Sequence, residues 1–182
     1  MHKDIKIVVT GPMGAGKTTA IRAVGDGVMV STEVPLSDGA VDGKAATTVG
    51  LDYGICPLPE GRMLKLFGTP GQERFKFMWD ILAGGAFGLI VLADNRRSDP
   101  VGEVAAHLTA FVPRLAAPRA VVGVGWLDAP SSPGLDDYCL GLQSRGFDVP
   151  VIDVDVRRVA DVQLLLSVLL GLAEADECLA GG

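Results

Sequence analysis

Aromatic side chains make up only 5% of this 182-residue chain, although 48% of it is hydrophobic. A core must therefore be packed from Val, Leu, Ile and Ala, which suits a sheet covered by helices on both faces. The length is right for one domain with a sizeable core, and residues 1–182 are read as one unit. Cysteine is scarcer still. Cys56, Cys139 and Cys178 are odd in number, scattered and without a C-x-x-C, which argues against a disulfide framework or a zinc site. His2 and His107 are equally isolated, and His107 is expected on a helix as a surface or packing residue. Cations are in the minority. The net charge of −6 argues against a general nucleic-acid or anionic-membrane surface, because such surfaces need clustered Lys and Arg. No apolar run is long enough to span a bilayer. Ile5–Thr10 reads as a strand rather than a signal peptide, and Cys178 stands too far from the end for a prenylation box. The expected location is cytoplasmic.

What is present in force is glycine, 24 residues of it, and the first cluster carries chemistry. Five β-branched-rich residues from Ile5 to Val9 read as a buried parallel strand. They run into Gly11 to Thr18, which fits G-x-x-x-x-G-K-[ST] at every fixed position. Gly11, Gly14 and Gly16 let the backbone turn several N–H groups, those around Met13 and Ala15 included, toward one phosphate chain. Lys17 reaches the β- and γ-phosphates, and the Thr18 hydroxyl can bind Mg²⁺. The helix opening at Lys17 places its positive end, with Thr19, under the same phosphates. A nucleoside triphosphate is the expected ligand.

Along the chain, a helix is expected from Lys17 to Val24, ending near Gly25 and Gly27. Gly25 to Thr47 shows no clean periodicity and reads as a long functional or mobile loop. A strand follows from Thr47 to about Ile55. Pro57, Pro59 and Gly61 make a turn, and Arg62 to Phe67 returns antiparallel. Gly68 to Glu73 is a second glycine loop, and Phe75, Met78, Trp79 and Leu82 then recur at helical spacing. Phe87–Ala93, Ala120–Trp126 and Pro150–Val154 read as strands. Helices are expected just past Pro100, over Pro133 to Arg145, and from Val159 onward. The expected fold is α/β: a P-loop NTPase with a doubly wound, mostly parallel six-stranded sheet, one antiparallel edge strand, and helices on both faces.

The order of loops resembles the Ras-like small GTPases over nearly the whole chain. The likeness is closest to bacterial members that work with roadblock-type partners, the polarity and gliding-motility switches and the small GTPases of actinobacterial conservon operons. It rests on the phosphate loop, on TTVGLDYG, and on LFGTPGQERF with FMWD and LIVLAD behind it. The resemblance implies GTP and GDP as ligands, Mg²⁺ as cofactor, slow hydrolysis, and a roadblock-type regulator. It implies that Thr48 is the switch threonine, that Gly71 donates its N–H to the γ-phosphate, and that Gln72 orients the attacking water. Thr48 could also be simply a β-former, with Thr47 its rival, and Gln72 a solvated loop residue.

Two positions depart from the family's pattern. The Asp that usually precedes Thr-x-Gly is Gly68, and the usual Asn-Lys-x-Asp is Gly125-Trp126-Leu127-Asp128. Asp128 could accept from guanine N1–H and N2–H₂, and Trp126 could cover the base. The alternative is that Asp128 caps a turn and Trp126 is core. Val156, between Asp155 and Arg157, falls in the last base-contacting loop. With the hairpin turn centred near Glu60, Asp52 lies opposite Gly68 and could hold Mg²⁺ in place of the lost Asp. A one-residue slip would turn it away. Two other functions compete with the switch. One is a pseudo-GTPase scaffold that keeps its nucleotide. The other is a small-molecule kinase, disfavoured because only Arg96-Arg97 and Arg157-Arg158 could supply an Arg lid.

Overall fold

The computed structural model describes residues 4–25, 28–35, 46–58, 61–70 and 78–180, with the backbone alone over 28–35, 46–49 and 176–180. Its centre is β1 (Ile5–Thr10), which pairs in parallel with β4 (Met63–Gly68) on one side and β5 (Gly88–Asp94) on the other. Side chains alternate across a strand, so β1 feeds two cores at once. Ile7 and Val9 pack with α1 (Lys17–Val24) and α5 (Val159–Ala180), through Ile21, Leu165 and Leu169. Val8 packs on the opposite face with α2 (Met78–Ala83), α3 (Pro100–Phe111) and α4 (Leu135–Gln143), through Trp79, Leu108, Phe111 and Tyr138. Every residue of β5 is buried, as expected of a parallel strand covered on both faces.

The sheet order is β2-β3-β4-β1-β5-β6-β7, with β6 at Ala120–Gly125 and β7 at Val151–Asp153. The α/β class and the mostly parallel sheet agree with the sequence reading. The sheet is one strand wider, however, because β2 (Val28–Pro35) lies within the segment read as a loop. It pairs antiparallel with β3 (Ala46–Pro57), from Val28 opposite Tyr53 to Pro35 opposite Ala46. Since β3 is also antiparallel to β4, it alone runs against the other strands, and it stands second from the edge. The period-two set Val28, Val30, Thr32 and Val34 is blurred in sequence by Met29, and a partner strand supplies the rest of the stabilisation. Pro100 is the first residue of α3, and the Asp99 carboxylate caps it by accepting from the Gly102 N–H at 2.9 Å. Met78, Trp79 and Leu82 are buried as their spacing implied, while Phe75 lies outside the described residues. No helix among the described residues is long and apolar enough to cross a membrane.

Candidate nucleotide site

The loop between β1 and α1 turns through three glycines with positive φ, Gly11 at 144°, Gly14 at 86° and Gly16 at 92°. Gly16 is doubly constrained, since a Cβ there would also come within 2.6 Å of Val156 Cγ2. The phosphate loop thus lies close against the loop after β7. Lys17 is buried, with 7% of its surface exposed, and its Nζ donates to the Gly11 and Pro12 carbonyls at 2.8 Å each. Burial brings its pKa down to about 8, and the charge of Asp52 offsets part of that fall. Ala15 is buried below the loop, whereas Met13 and Thr19 are exposed above it.

Asp52 lies opposite Gly68 in the β3–β4 ladder. The Thr18 hydroxyl donates to Asp52 Oδ2 at 2.5 Å. A Cβ at position 68 would come within 2.9 Å of the Asp52 Cβ and 3.0 Å of Ile21 Cδ1, so the carboxylate from β3 occupies the room that a side chain on β4 would need. This hydroxyl–carboxylate pair beside the phosphate loop is a hard-oxygen donor set and fits Mg²⁺, which takes only one or two protein oxygens and leaves the rest to phosphate and water. Accordingly, no cluster of three acidic, His or Cys ligands exists among the described residues. Thr48 is not brought to the pair. It sits in the β2–β3 ladder opposite Glu33, four residues and about 13 Å of extended chain from Asp52. Gly71 and Gln72 lie outside the described residues.

The residues expected to recognise the base line a cavity of about 780 Å³ that reaches the phosphate loop, its wall including Gly16, Thr19, Trp126, Asp128 and Val156. It opens at the C-terminal ends of β5, β6 and β7, where doubly wound sheets bind ligands. Asp128 is exposed, and its carboxylate makes no hydrogen bond or ion pair among the described residues. It therefore caps no turn. Trp126 is 50% exposed, so it is not core either. Its indole instead carries a guanidinium, with Arg96 Cζ 4.0 Å from the ring centroid and Arg157 Cζ 5.7 Å away. Arg157 chelates Asp155 at 2.8 and 2.7 Å and holds that carboxyl down at about 2. Asn95 cannot replace the missing asparagine, because it is buried and taken up. It donates to the Pro133 carbonyl and accepts from Tyr138 Oη, both at 3.0 Å, bracing the loop that carries Asp128.

Two features of consequence escaped the sequence reading. Thr10, the last residue of β1, is 2.9 Å from the Thr69 hydroxyl and 3.0 Å from His107 Nδ1. The phosphate loop, the second glycine loop and α3 are thus joined through one buried hydroxyl. Arg96 is the second. Its sequence signal was a run of two arginines, read only as a poor kinase lid.

A central strand that runs through such a loop into a helix, in a sheet of this order, defines a phosphate-loop nucleotide-binding protein. The chain belongs to the family described as conserved hypothetical ATP binding protein, whose model matches residues 29–122. Over 94 residues it is 38% identical to the uncharacterized protein MJ1339 of Methanocaldococcus jannaschii, an overlap of 50% of this chain and 53% of that protein. The chain spans about half the length of the curated relative it matches.

Proposed function

We propose that the protein is a GTP-binding switch that hydrolyses GTP slowly and signals through nucleotide-dependent loops. The observation that carries this reading is the Thr18–Asp52 contact beside the phosphate loop. It supplies the carboxylate that Gly68 cannot, on the strand that leads back to Thr48. Thr18 and Asp52 would hold Mg²⁺, which neutralises charge on the β- and γ-phosphates when bound. Lys17 binds the same phosphates through its ammonium group. Gln72, assigned by the motif GTPGQ, orients water for attack. Thr48 would reach the site only after leaving its place opposite Glu33, which makes the β2–β3 ladder the element that a γ-phosphate must compete with. Guanine is the base that a free Asp128 carboxylate suits, since N1–H and N2–H₂ both donate. The family's description names ATP, so the base preference is the point to be measured. A kinase lid is disfavoured because Arg96 and Arg157 are chelated by Asp94 and Asp155. The resemblance in the switch motifs supports a roadblock-type regulator and a cytoplasmic setting.

Nucleotide extracted from purified protein and separated by chromatography should be GDP. Retained GTP would favour a scaffold, and ATP would overturn the guanine assignment. Gln72→Leu should slow single-turnover GTP hydrolysis at least tenfold with affinity nearly unchanged, because the water contact matters chiefly in the transition state. Asp128→Ala should cost GTP about 1.5–3 kcal/mol of binding energy and ATP almost nothing. Competition titrations with the two nucleotides measure the difference, and an equal loss for both would make Asp128 structural.

A further inference from the structure

The motif position that normally supplies an asparagine to the base is Gly125, which has no side chain to offer, and Asn95 beside it is occupied. Asp128 can satisfy only the donor edge of a guanine. The acceptor edge, O6 and N7, needs donors from elsewhere, and among the cavity-lining residues Arg96 is placed to provide them. Its Nε and Nη2 both donate to the buried Asp94 carboxylate, at 2.8 Å each. That spends the side edge of the guanidinium and two of its five N–H groups. The end edge, one N–H on Nη1 beside one on Nη2, makes no other hydrogen bond among the described residues. Two parallel donors in one plane are the fork that matches guanine O6 and N7.

The guanidinium is also held against rotation. Asp94 closes β5 and is 7% exposed, and it accepts from the Arg96 backbone N–H as well, at 3.1 Å. The Trp126 indole covers one guanidinium face at 4.0 Å. Trp126 takes a left-handed backbone with φ 62°, which is costly for a bulky side chain and persists where the surroundings over-determine it. The sequence left Trp126 either over the base or in the core. In the structure its stacking partner is an arginine, and the indole serves to hold that arginine flat.

We propose that Arg96 is the residue that reads the O6/N7 edge of guanine, positioned by Asp94 and Trp126, in place of the absent asparagine. Adenine presents N6–H₂ where guanine has O6, so the same fork that accepts guanine meets a donor with a donor. Arg96 and Asp128 together would then contact adjacent edges of one base. This rests on the guanine reading above, and the test separates the two.

Affinities of the unmodified protein are measured for GTP, 7-deaza-GTP, in which N7 is a carbon, and ATP. They are then repeated for Arg96→Ala and for Arg96→Lys, which keeps the charge without the fork. The unmodified protein should bind 7-deaza-GTP about tenfold more weakly than GTP, as expected for half of a bidentate contact. Both variants should lose at least tenfold for GTP, leave ATP unchanged, and no longer distinguish GTP from 7-deaza-GTP. A guanine preference in the unmodified protein that ignores the N7 substitution would overturn the role of Arg96 and leave the GTP reading standing. Equal binding of GTP and ATP by the unmodified protein would overturn both. Variants that weaken GTP and ATP alike would reduce Arg96 to a brace for the loop.

Discussion

Lys17→Met should abolish tight nucleotide binding and, in the same protein, raise the melting temperature of the nucleotide-free form. Both effects come from one buried ammonium. Lys17 is 7% exposed, and among the described residues its Nζ donates to the Gly11 and Pro12 carbonyls at 2.8 Å. Burial is the main cause of its fall from 10.5 to about 8. In the unfolded chain the group titrates at its ordinary value. Between about pH 8 and 10.5 the unfolded state therefore binds a proton that the native state does not, and stability rises with pH across that window. Below pH 8 both states are protonated, and the native state carries the full penalty, about 3 kcal/mol at 1.36 kcal/mol per pH unit.

Methionine fills similar volume without the charge, so the unliganded variant should melt several degrees higher, at roughly 2–4 °C per kcal/mol for a domain of this size. Nucleotide binding is where the charge is repaid, since the polyphosphate chain replaces the two carbonyls. Loss of that contact should cost about a hundredfold in affinity for di- and triphosphate alike. The pH dependence follows with a definite sign. Affinity of the unmodified protein should hold steady below pH 8 and fall above it, by at most about tenfold per pH unit, as the ammonium must be reprotonated to bind. Lys17→Met should show no such fall. Calorimetric titrations at pH 7 and pH 9, with thermal melts of both proteins, settle the matter. A variant that melts lower and still binds would remove Lys17 from the site.

The second large effect concerns the carboxylate opposite Gly68. Asp52→Ala should raise the Mg²⁺ concentration needed for tight GTP binding by about 10–100-fold, the usual cost of losing a residue that orients a metal's ligands. Binding of GDP without Mg²⁺ should change little, and the fold should survive, because Asp52 is a half-buried position in a ladder held by main-chain bonds. The distinctive control moves the carboxylate across the ladder. Gly68→Asp alone is expected to be harmful, since its Cβ would stand 2.9 Å from that of Asp52. An Asp52→Gly background removes that Cβ, and the nearest remaining obstacle is the flexible tip of Ile21, at 3.0 Å. The double variant should therefore recover much of the Mg²⁺ dependence. If Asp52→Ala leaves the Mg²⁺ requirement untouched, the contact with Thr18 is only a helix-end hydrogen bond.

The phosphate loop could be read without a structure because its chemistry is local. Three glycines, a lysine and a threonine at fixed spacing dictate their own backbone, and neighbours add little beyond Val156 closing on Gly16. The meeting of Asp52 and Gly68 was legible for a related reason. A hairpin's register is set by its turn, so two residues sixteen apart can be paired by counting from Glu60. The buried helix faces followed from period alone, as Met78, Trp79 and Leu82 show. What the sequence by itself determined is therefore whatever depends on residues near one another along the chain.

Tertiary structure decided the rest. β2 exists because β3 pairs with it, and its own alternation is too weak to announce it. Thr10, Thr69 and His107 meet because β1, β4 and α3 converge where no spacing relates them. The base end is the clearest case. Arg96 and Trp126 leave neighbouring parallel strands thirty residues apart, and only the crossover that aligns Asp94 with Gly125 brings guanidinium onto indole. A motif comparison could register that an asparagine was missing there. Which residue stands in its place is set by contacts between distant loops, and those are absent until the sheet is assembled.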